Sequence, residues 1–290
     1  MSKTLAPSVT HRDPKGRKFM AVIEAAYDKA GLSKKEAQRV NDTAGLPKLI
    51  ESFIAANRFT DRFKDEEVAS SFWYPNDYKP KGITAQTNLL RRLFPGVGFA
   101  DEKLADAPLP PNAEAYFAIP RWESLAQTYQ EAVEKVLAAF QKLHGCKFAN
   151  YHEGELGPDR LRQEERARAC LTDLGERQKG YDILVVPAQL GLRHRGRSVR
   201  RAREVMQDAG NEFGLGAFAV GIMLLTHPER QVTWEQLHVD CAGDEYAPRA
   251  DGKFVKAPVF DCDDGKLRFR MGWSDGARSD FGSVSVFLPR

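Results

Sequence analysis

Near the end of the chain, apolar residues recur at every second position. Leu267, Phe269, Met271 and Trp273 alternate with Arg268, Arg270 and Gly272. That period predicts a strand with one face in a core and the other toward water. Residues 274–282, crowded with Ser, Asp, Arg and Gly, predict a loop, and the alternating residues 283–288 predict a closing strand. The expected result is a small surface displayed on a terminal platform.

Upstream the period lengthens to that of a helix. Phe19, Val22, Ile23 and Ala26 mark one amphipathic segment. Ser33 and Glu36 read as a capping box ahead of Ala37 and Val40. Gly45 ends that helix and Pro47 opens the next at its first position, with Leu49, Ile50, Phe53 and Ile54 on its apolar face. The pair has a helix-turn-helix outline, but the second helix presents Lys48, Glu51 and Ser52 instead of a base-reading set, so it reads as a packing unit. Residues 105–111, ADAPLPP, read as a linker. The strongest helix is predicted over 123–143, on Tyr129, Val133, Val136, Leu137 and Phe140, with Gly145 as its stop. Another follows Pro158, with Leu161, Leu171 and Leu174 inward and Arg160, Arg162, Arg166 and Arg168 outward. Ile183 to Val186 predict a buried strand ending at Pro187, and residues 231–239 alternate again.

Helices first and strands last predict an α+β fold. The expected organisation is a flexible arm (1–17), a helical N-terminal region (18–111), a helical segment (112–180) and a mixed domain ending in antiparallel strands (181–290).

Composition narrows the function classes. The chain has 290 residues, 42% hydrophobic and 29% charged, with net charge +3. That balance does not by itself demand a nucleic-acid partner. The longest apolar stretch, 213–225, is too short to span a bilayer, and no apolar leader opens the chain, so a cytoplasmic location without a membrane partner is expected. The four cysteines, Cys146, Cys170, Cys241 and Cys262, form no C-x-x-C pair and have no histidine at zinc spacing. They read as reduced thiols, with a Cys241–Cys262 bridge as the alternative in an exported chain.

Three clusters carry candidate chemistry. The first is RHRGRSVRRAR, with Arg193, Arg195, Arg197, Arg200, Arg201 and Arg203. Guanidinium forks match phosphate oxygens, so a polyanion such as nucleic acid is one reading. Pairing with carboxylates such as Glu164, Glu165, Asp240 and Asp244 is the other. The second is Gly214-x-Gly216 with Gly221, which departs from G-x-G-x-x-G and reads as close helix packing. The third is LHVDCAGDEY, where His238, Asp240, Asp244 and Glu245 offer metal ligands or an acid–base pair, with Asp261, Asp263 and Asp264 downstream. The spacing of D-C-D-D-G is not that of an EF-hand, and Asp-Gly also serves turns for conformational reasons. Ser198 and Cys241 lack the context of an activated nucleophile. No catalytic residues and no cofactor are therefore assigned.

The C-terminal stretch resembles the variable ligand-binding proteins of diversity-generating retroelements. The likeness rests on VVPAQLG (185–191), on a helix over 211–225, and on RFRMGWSDGARSDFGSVSVFLPR at the end. It covers about the last 110 residues and implies a C-type-lectin-like fold. The Arg-Leu-Pro and Gly-Gly-Ser-Trp signatures of the related enzyme branch are absent, so formylglycine-type chemistry is not implied. The resemblance implies a non-enzymatic recognition protein binding a protein or glycan surface. Its ligand-contacting positions would be Asp261, Asp263, Arg268, Arg270, Gly272, Ser274, Asp275, Arg278, Ser279, Asp280 and Phe281. The alternatives remain a polyanion-binding protein using the arginine segment and a metal-dependent enzyme using His238, Asp240, Asp244 and Glu245.

Overall fold

The computed structural model describes residues 14–43, 45–56, 62–231, 233–249 and 252–288, with the backbone alone for 14–16, 52–56 and 146. The chain divides into two compact units, Met1–Phe59 and Thr60–Arg290.

The first unit is helical: α1 (Pro14–Lys29), α2 (Lys34–Asn41) and α3 (Leu46–Ala56). The capping box forms as expected. The Ser33 hydroxyl accepts the Glu36 N–H at 3.4 Å, and the Glu36 carboxylate accepts the Ser33 N–H at 2.9 Å. Pro47 is the second residue of α3, not the first. No described side chain of this unit is buried, and Val22 and Leu49 are largely exposed. Phe53 and Ile54 lie outside the residues whose side chains are described.

The second unit is α+β. It runs α4 (Ile83–Leu93), β1 (Ala115–Pro120), α5 (Tyr129–His144), β2 (Phe148–Asn150), β3 (Leu161–Gln163), α6 (Glu165–Arg177), β4 (Ile183–Gln189), α7 (Val199–Ala209), β5 (Glu212–Gly214) and α8 (Ala217–Thr226). Then come β6 (His238–Asp240), β7 (Asp244–Tyr246), β8 (Lys256–Asp263), β9 (Lys266–Trp273), β10 (Phe281–Ser283) and β11 (Ser285–Phe287). A four-stranded sheet has the order β1-β4-β11-β5, antiparallel throughout. A seven-stranded sheet runs β10-β6-β8-β7-β3, with β9 on the other side of β8 and β2 beside β9. Strand β1 of the 112–180 segment pairs with β4 of the 181–290 segment, and β2 and β3 join the larger sheet, so these two segments share both sheets.

The core is the space that α8 and α5 fill. All ten residues of α8 are buried. Gly221 is there for closeness: a Cβ would stand 2.5 Å from Val136 Cγ1 on α5. The glycine run is thus a packing device, as its sequence suggests. The predicted face of α5 is buried at Val133, Val136, Leu137 and Phe140.

Several boundaries differ from expectation. Residues Trp122–Ser124 form a separate 3-10 turn, and α5 begins only after the Thr128 cap. Leu161 and Arg162 belong to β3, because they find a partner in β7 before α6 begins. Residues 107–111 do not separate compact units; prolines from this stretch lie beside Val185 and Pro187 of β4. The strand predicted to stop at Pro187 continues through it. Proline has no N–H for a neighbouring strand. Strand β11 accordingly pairs only at Ala188 and Gln189, and the Gln178 amide takes both the N–H and C=O of Val185 (2.9 and 3.0 Å). Gln86 does the same for the outer edge of β1, accepting from Ala118 N–H at 2.9 Å and donating to Tyr116 C=O at 3.0 Å.

Candidate functional site

Strands β8 and β9 form a hairpin in register from Lys256↔Trp273 to Asp263↔Lys266. Asp264 and Gly265 join them with φ of 49° and 68°. Positive φ at both central residues matches a type I′ turn, whose twist fits the paired strands, so the Asp-Gly dipeptide serves conformation here. The alternation then sorts the side chains. Phe260, Cys262, Leu267, Phe269 and Met271 join the core. Val259, Asp261, Arg268, Arg270 and Gly272 take the opposite, outer face. Trp273 shares the core-facing phase but lies past the end of the core, 60% exposed.

Two more strands extend the outer face. Asp240 on β6 stands opposite Val259. Phe281 and Ser283 on β10 stand beside His238 and Asp240. The floor of the face is therefore Asp261, His238, Asp240, Phe281 and Ser283, all buried. Asp261 accepts from Arg268 at 2.8 Å and also from Arg270, and Asp263 pairs with Arg268. Burial pushes the Asp240 carboxyl up to about 6, with Arg278 beside it opposing the shift. Burial also brings His238 down to about 4, so its ring is neutral near pH 7. The ring lies 5.0 Å from Phe281, and its Nδ1 is 3.3 Å from the Gln231 amide nitrogen.

Arg278 crosses this floor from the 274–280 loop. Its guanidinium lies 3.3 Å from the Phe281 ring centroid and reaches the Asp240 carboxylate by one long contact of 3.5 Å. A guanidinium carries five N–H donors. The hydroxyls of Ser274 and Ser283 are buried without a hydrogen-bond partner. The outer face is thus assembled but not fully satisfied.

The positions implied by the resemblance fall on this face or its loop, in two layers. Asp263 and Asp275 are exposed, and Arg268, Arg270, Arg278, Ser279 and Asp280 are half-buried. Asp261, Gly272, Ser274 and Phe281 are buried, and this corrects their expected display. Asp261 is the shared counter-ion of two arginines, Gly272 leaves room for Arg278, and Phe281 is the surface on which Arg278 rests. The closing strand expected over 283–288 is divided between the sheets: β10 pairs with β6 and β11 with β4 and β5. At the crossing, a Cβ on Gly282 would stand 2.1 Å from the Gly191 carbonyl oxygen, so no larger residue fits.

The arginine segment is tied into the fold. Arg193 pairs with Glu212 at 2.9 Å, Arg197 with Glu67 at 3.2 Å, and Arg200 with Glu66. Arg201 reaches Glu67 at 2.6 Å and Glu204 at 2.8 Å. Arg203 donates to the carbonyls of Ala242 and Asp244, and Arg195 lies 4.4 Å over the Trp73 ring. Pairing with carboxylates is the arrangement found, but the partners are largely Glu66, Glu67, Glu204 and Glu212, not the acids singled out in the sequence. No local signal could have named Glu66 and Glu67, which lie more than a hundred positions away.

The acidic run does not converge either. Asp240 faces Arg278. Asp244 lies at the start of α8, where it accepts from Tyr129 Oη at 2.7 Å and from the Ala217 N–H at 2.7 Å, and burial pushes it up to about 7. Glu245 pairs with Arg162 at 2.8 Å. Among the described residues no three His, Cys, Asp or Glu side chains are grouped to hold a metal ion. Cys241 and Cys262 are free, buried thiols, both pushed upward by burial, Cys262 to about 12. No helix among the described residues is long and apolar enough to cross a membrane.

Comparison of the chain with protein-family models, with curated proteins and with solved structures finds no match in any of the three.

Proposed function

We propose that this chain is a recognition protein, not an enzyme, and that it binds its ligand on the outer face of the larger sheet. The contacting residues are Arg268, Arg270 and Arg278, with Asp263, Asp275, Ser279 and Asp280 around them. The ligand is a protein or glycan surface that presents acceptor oxygens, carboxylate or hydroxyl, to the guanidinium groups. If the face tolerates variation, as the retroelement resemblance implies, the tolerance belongs to these residues. Asp261, Gly272, Ser274 and Phe281 support them from below and stay constant.

The observation that carries the reading is the state of Arg278. It is oriented by stacking on Phe281, yet holds Asp240 by a single 3.5 Å contact. An oriented guanidinium with unused donors loses little freedom when an outside acceptor arrives. His238 and Asp240 have the residue types of an acid–base pair, but a substrate would have to pass the arginines to reach them.

Substitution of Arg278 by Gln tests the reading. Asp240 titrates near 6, so below that pH the loss of its neighbour leaves no unpaired charge, and the fold is expected to survive. At pH 5.5, against a panel of immobilised glycans and of isolated cell-surface proteins, the native chain is expected to select particular members. Arg278→Gln is expected to lose about tenfold or more in affinity, with a melting temperature within a few degrees. Equal binding by the two proteins removes this face as the site. A reverse transcriptase gene beside a near-copy of the terminal coding segment is the genomic arrangement that the variable-face reading requires.

A further inference from the structure

A second, chemically different site lies on the smaller sheet. Residues 107–111 cross the outer face of β1 and β4 and roof a cleft of about 440 Å³. Tyr116, Val185 and Pro187, on one face of the sheet, form its floor, and Leu174, Leu288, Pro108, Pro110 and Pro111 complete its lining. This volume is within the range of small-molecule sites, about 300–1,000 Å³.

The walls are largely apolar: their side-chain donors are Tyr116, Arg177, Gln178 and Asn211, and of these Tyr116 and Gln178 already donate to backbone carbonyls. Four lining residues are prolines, which have no N–H. The N–H and C=O of Val185, on the floor, are already taken by Gln178. Water in such a space finds few partners, whereas an apolar chain loses nothing by entering it. The roof is pinned lightly: the Tyr116 hydroxyl donates to the Pro108 carbonyl at 3.3 Å.

Of the residues that line the cleft, Arg177 alone carries a charge. It pairs with Asp173 one helical turn away at 2.9 Å, with both side chains about half exposed. Such exposed pairs hold weakly, so the guanidinium can turn to another carboxylate.

We propose that the cleft under the 107–111 strap binds an apolar carboxylate of medium-chain fatty-acid size, its chain under the prolines and its head at Arg177. The site is independent of the outer face of the larger sheet, and either can fail without the other.

Decanoate and decyltrimethylammonium, equal in chain and opposite in charge, are the probes, titrated into the full chain by calorimetry. Saturable one-to-one binding of decanoate is expected, about tenfold tighter than that of the cation. Arg177→Gln should bring the two affinities together. Ala107→Trp, at an exposed position in the roof, should fill the cleft and weaken both. Both variants change exposed residues, so circular dichroism should show native folds. Three results would each overturn the proposal: no saturable decanoate binding, equal affinity of the native chain for both probes, or undiminished decanoate binding by Ala107→Trp.

Discussion

Asp244 shows how one buried side chain sets a pH response. Its carboxylate, fully buried, joins the Tyr129 hydroxyl to the first turn of α8. Burial raises it from an ordinary value of 3.8 to about 7. For an acid raised in the folded state, the stabilising contribution is complete below pH 4 and is lost as pH climbs through 7. His227 and His238, both lowered to about 4 by burial, act in the opposite sense: their contribution is present above pH 6.5 and is lost as pH falls toward 4. The two trends oppose each other between pH 4 and 7. Asp244→Asn keeps an acceptor for Ala217 and cannot ionise. Its stability relative to the native chain should therefore rise across that window, by on the order of 4 kcal/mol. Chemical denaturation at pH 4.5, 6 and 7.5 measures this, and a difference that shrinks with rising pH contradicts the assignment. At this scale the sequence was legible where the cause is local. The Asp-Gly turn and the Ser33–Glu36 box follow from neighbours three residues apart or fewer. The pairing of Arg200 with Glu66 and of Arg201 with Glu67 does not, because these acids meet the arginines only after the chain has folded.

Elements were legible where their periodicity had one interpretation. The apolar face of α5 reached the core as read, and so did the alternation of β9 as far as Met271, with Trp273 left beyond the core. The final strand did not behave as one strand, because Ser283, Val284, Ser285 and Val286 are all buried and a period of two no longer separates an inside from an outside. Its two halves could join different sheets without exposing anything. The places where pairing stops in the smaller sheet were hidden for another reason: they are finished by side chains. Gln86 and Gln178 occupy the places of missing strands, and a glutamine in a helix gives no sign that it will cap a sheet. Each satisfies one N–H and one C=O, and a buried unpaired group costs about 1–3 kcal/mol. Gln86→Leu should thus destabilise the unit by roughly 2–4 kcal/mol, or about 5–15 °C in a domain of this size. Amide exchange at Ala118 should accelerate more than at Val133 in α5. Equal acceleration at both sites would show global loosening instead of an opened edge.

At the scale of the whole molecule, the question is where cooperative units begin. The linker-like 105–111 stretch and the strand pattern that begins after 180 suggested boundaries, but strand pairing runs across the second of them: β1 finds β4 more than sixty residues later, and β3 finds β7 more than eighty residues later. Sheet pairing at such separations leaves no mark in local composition, so a linker-like proline run can serve as the wall of a cleft. The division at Phe59 and Thr60 rests on burial. Every residue of the two buried apolar clusters belongs to the second unit, whereas the described side chains of the first are exposed or half-exposed. Three helices of sixteen, eight and eleven residues, none with a buried side chain among those described, are marginal by themselves, since helices this short depend on packing for stability. A chain of residues 60–290 should therefore fold alone, with an unfolding midpoint within a few degrees of the full chain and the same near-ultraviolet circular dichroism. A chain of residues 1–59 should show weak helicity that fades gradually on heating. If removing 1–59 lowers the midpoint by more than about 10 °C, equivalent to several kcal/mol for a domain of this size, the helices contribute to the larger unit and the two are one cooperative body.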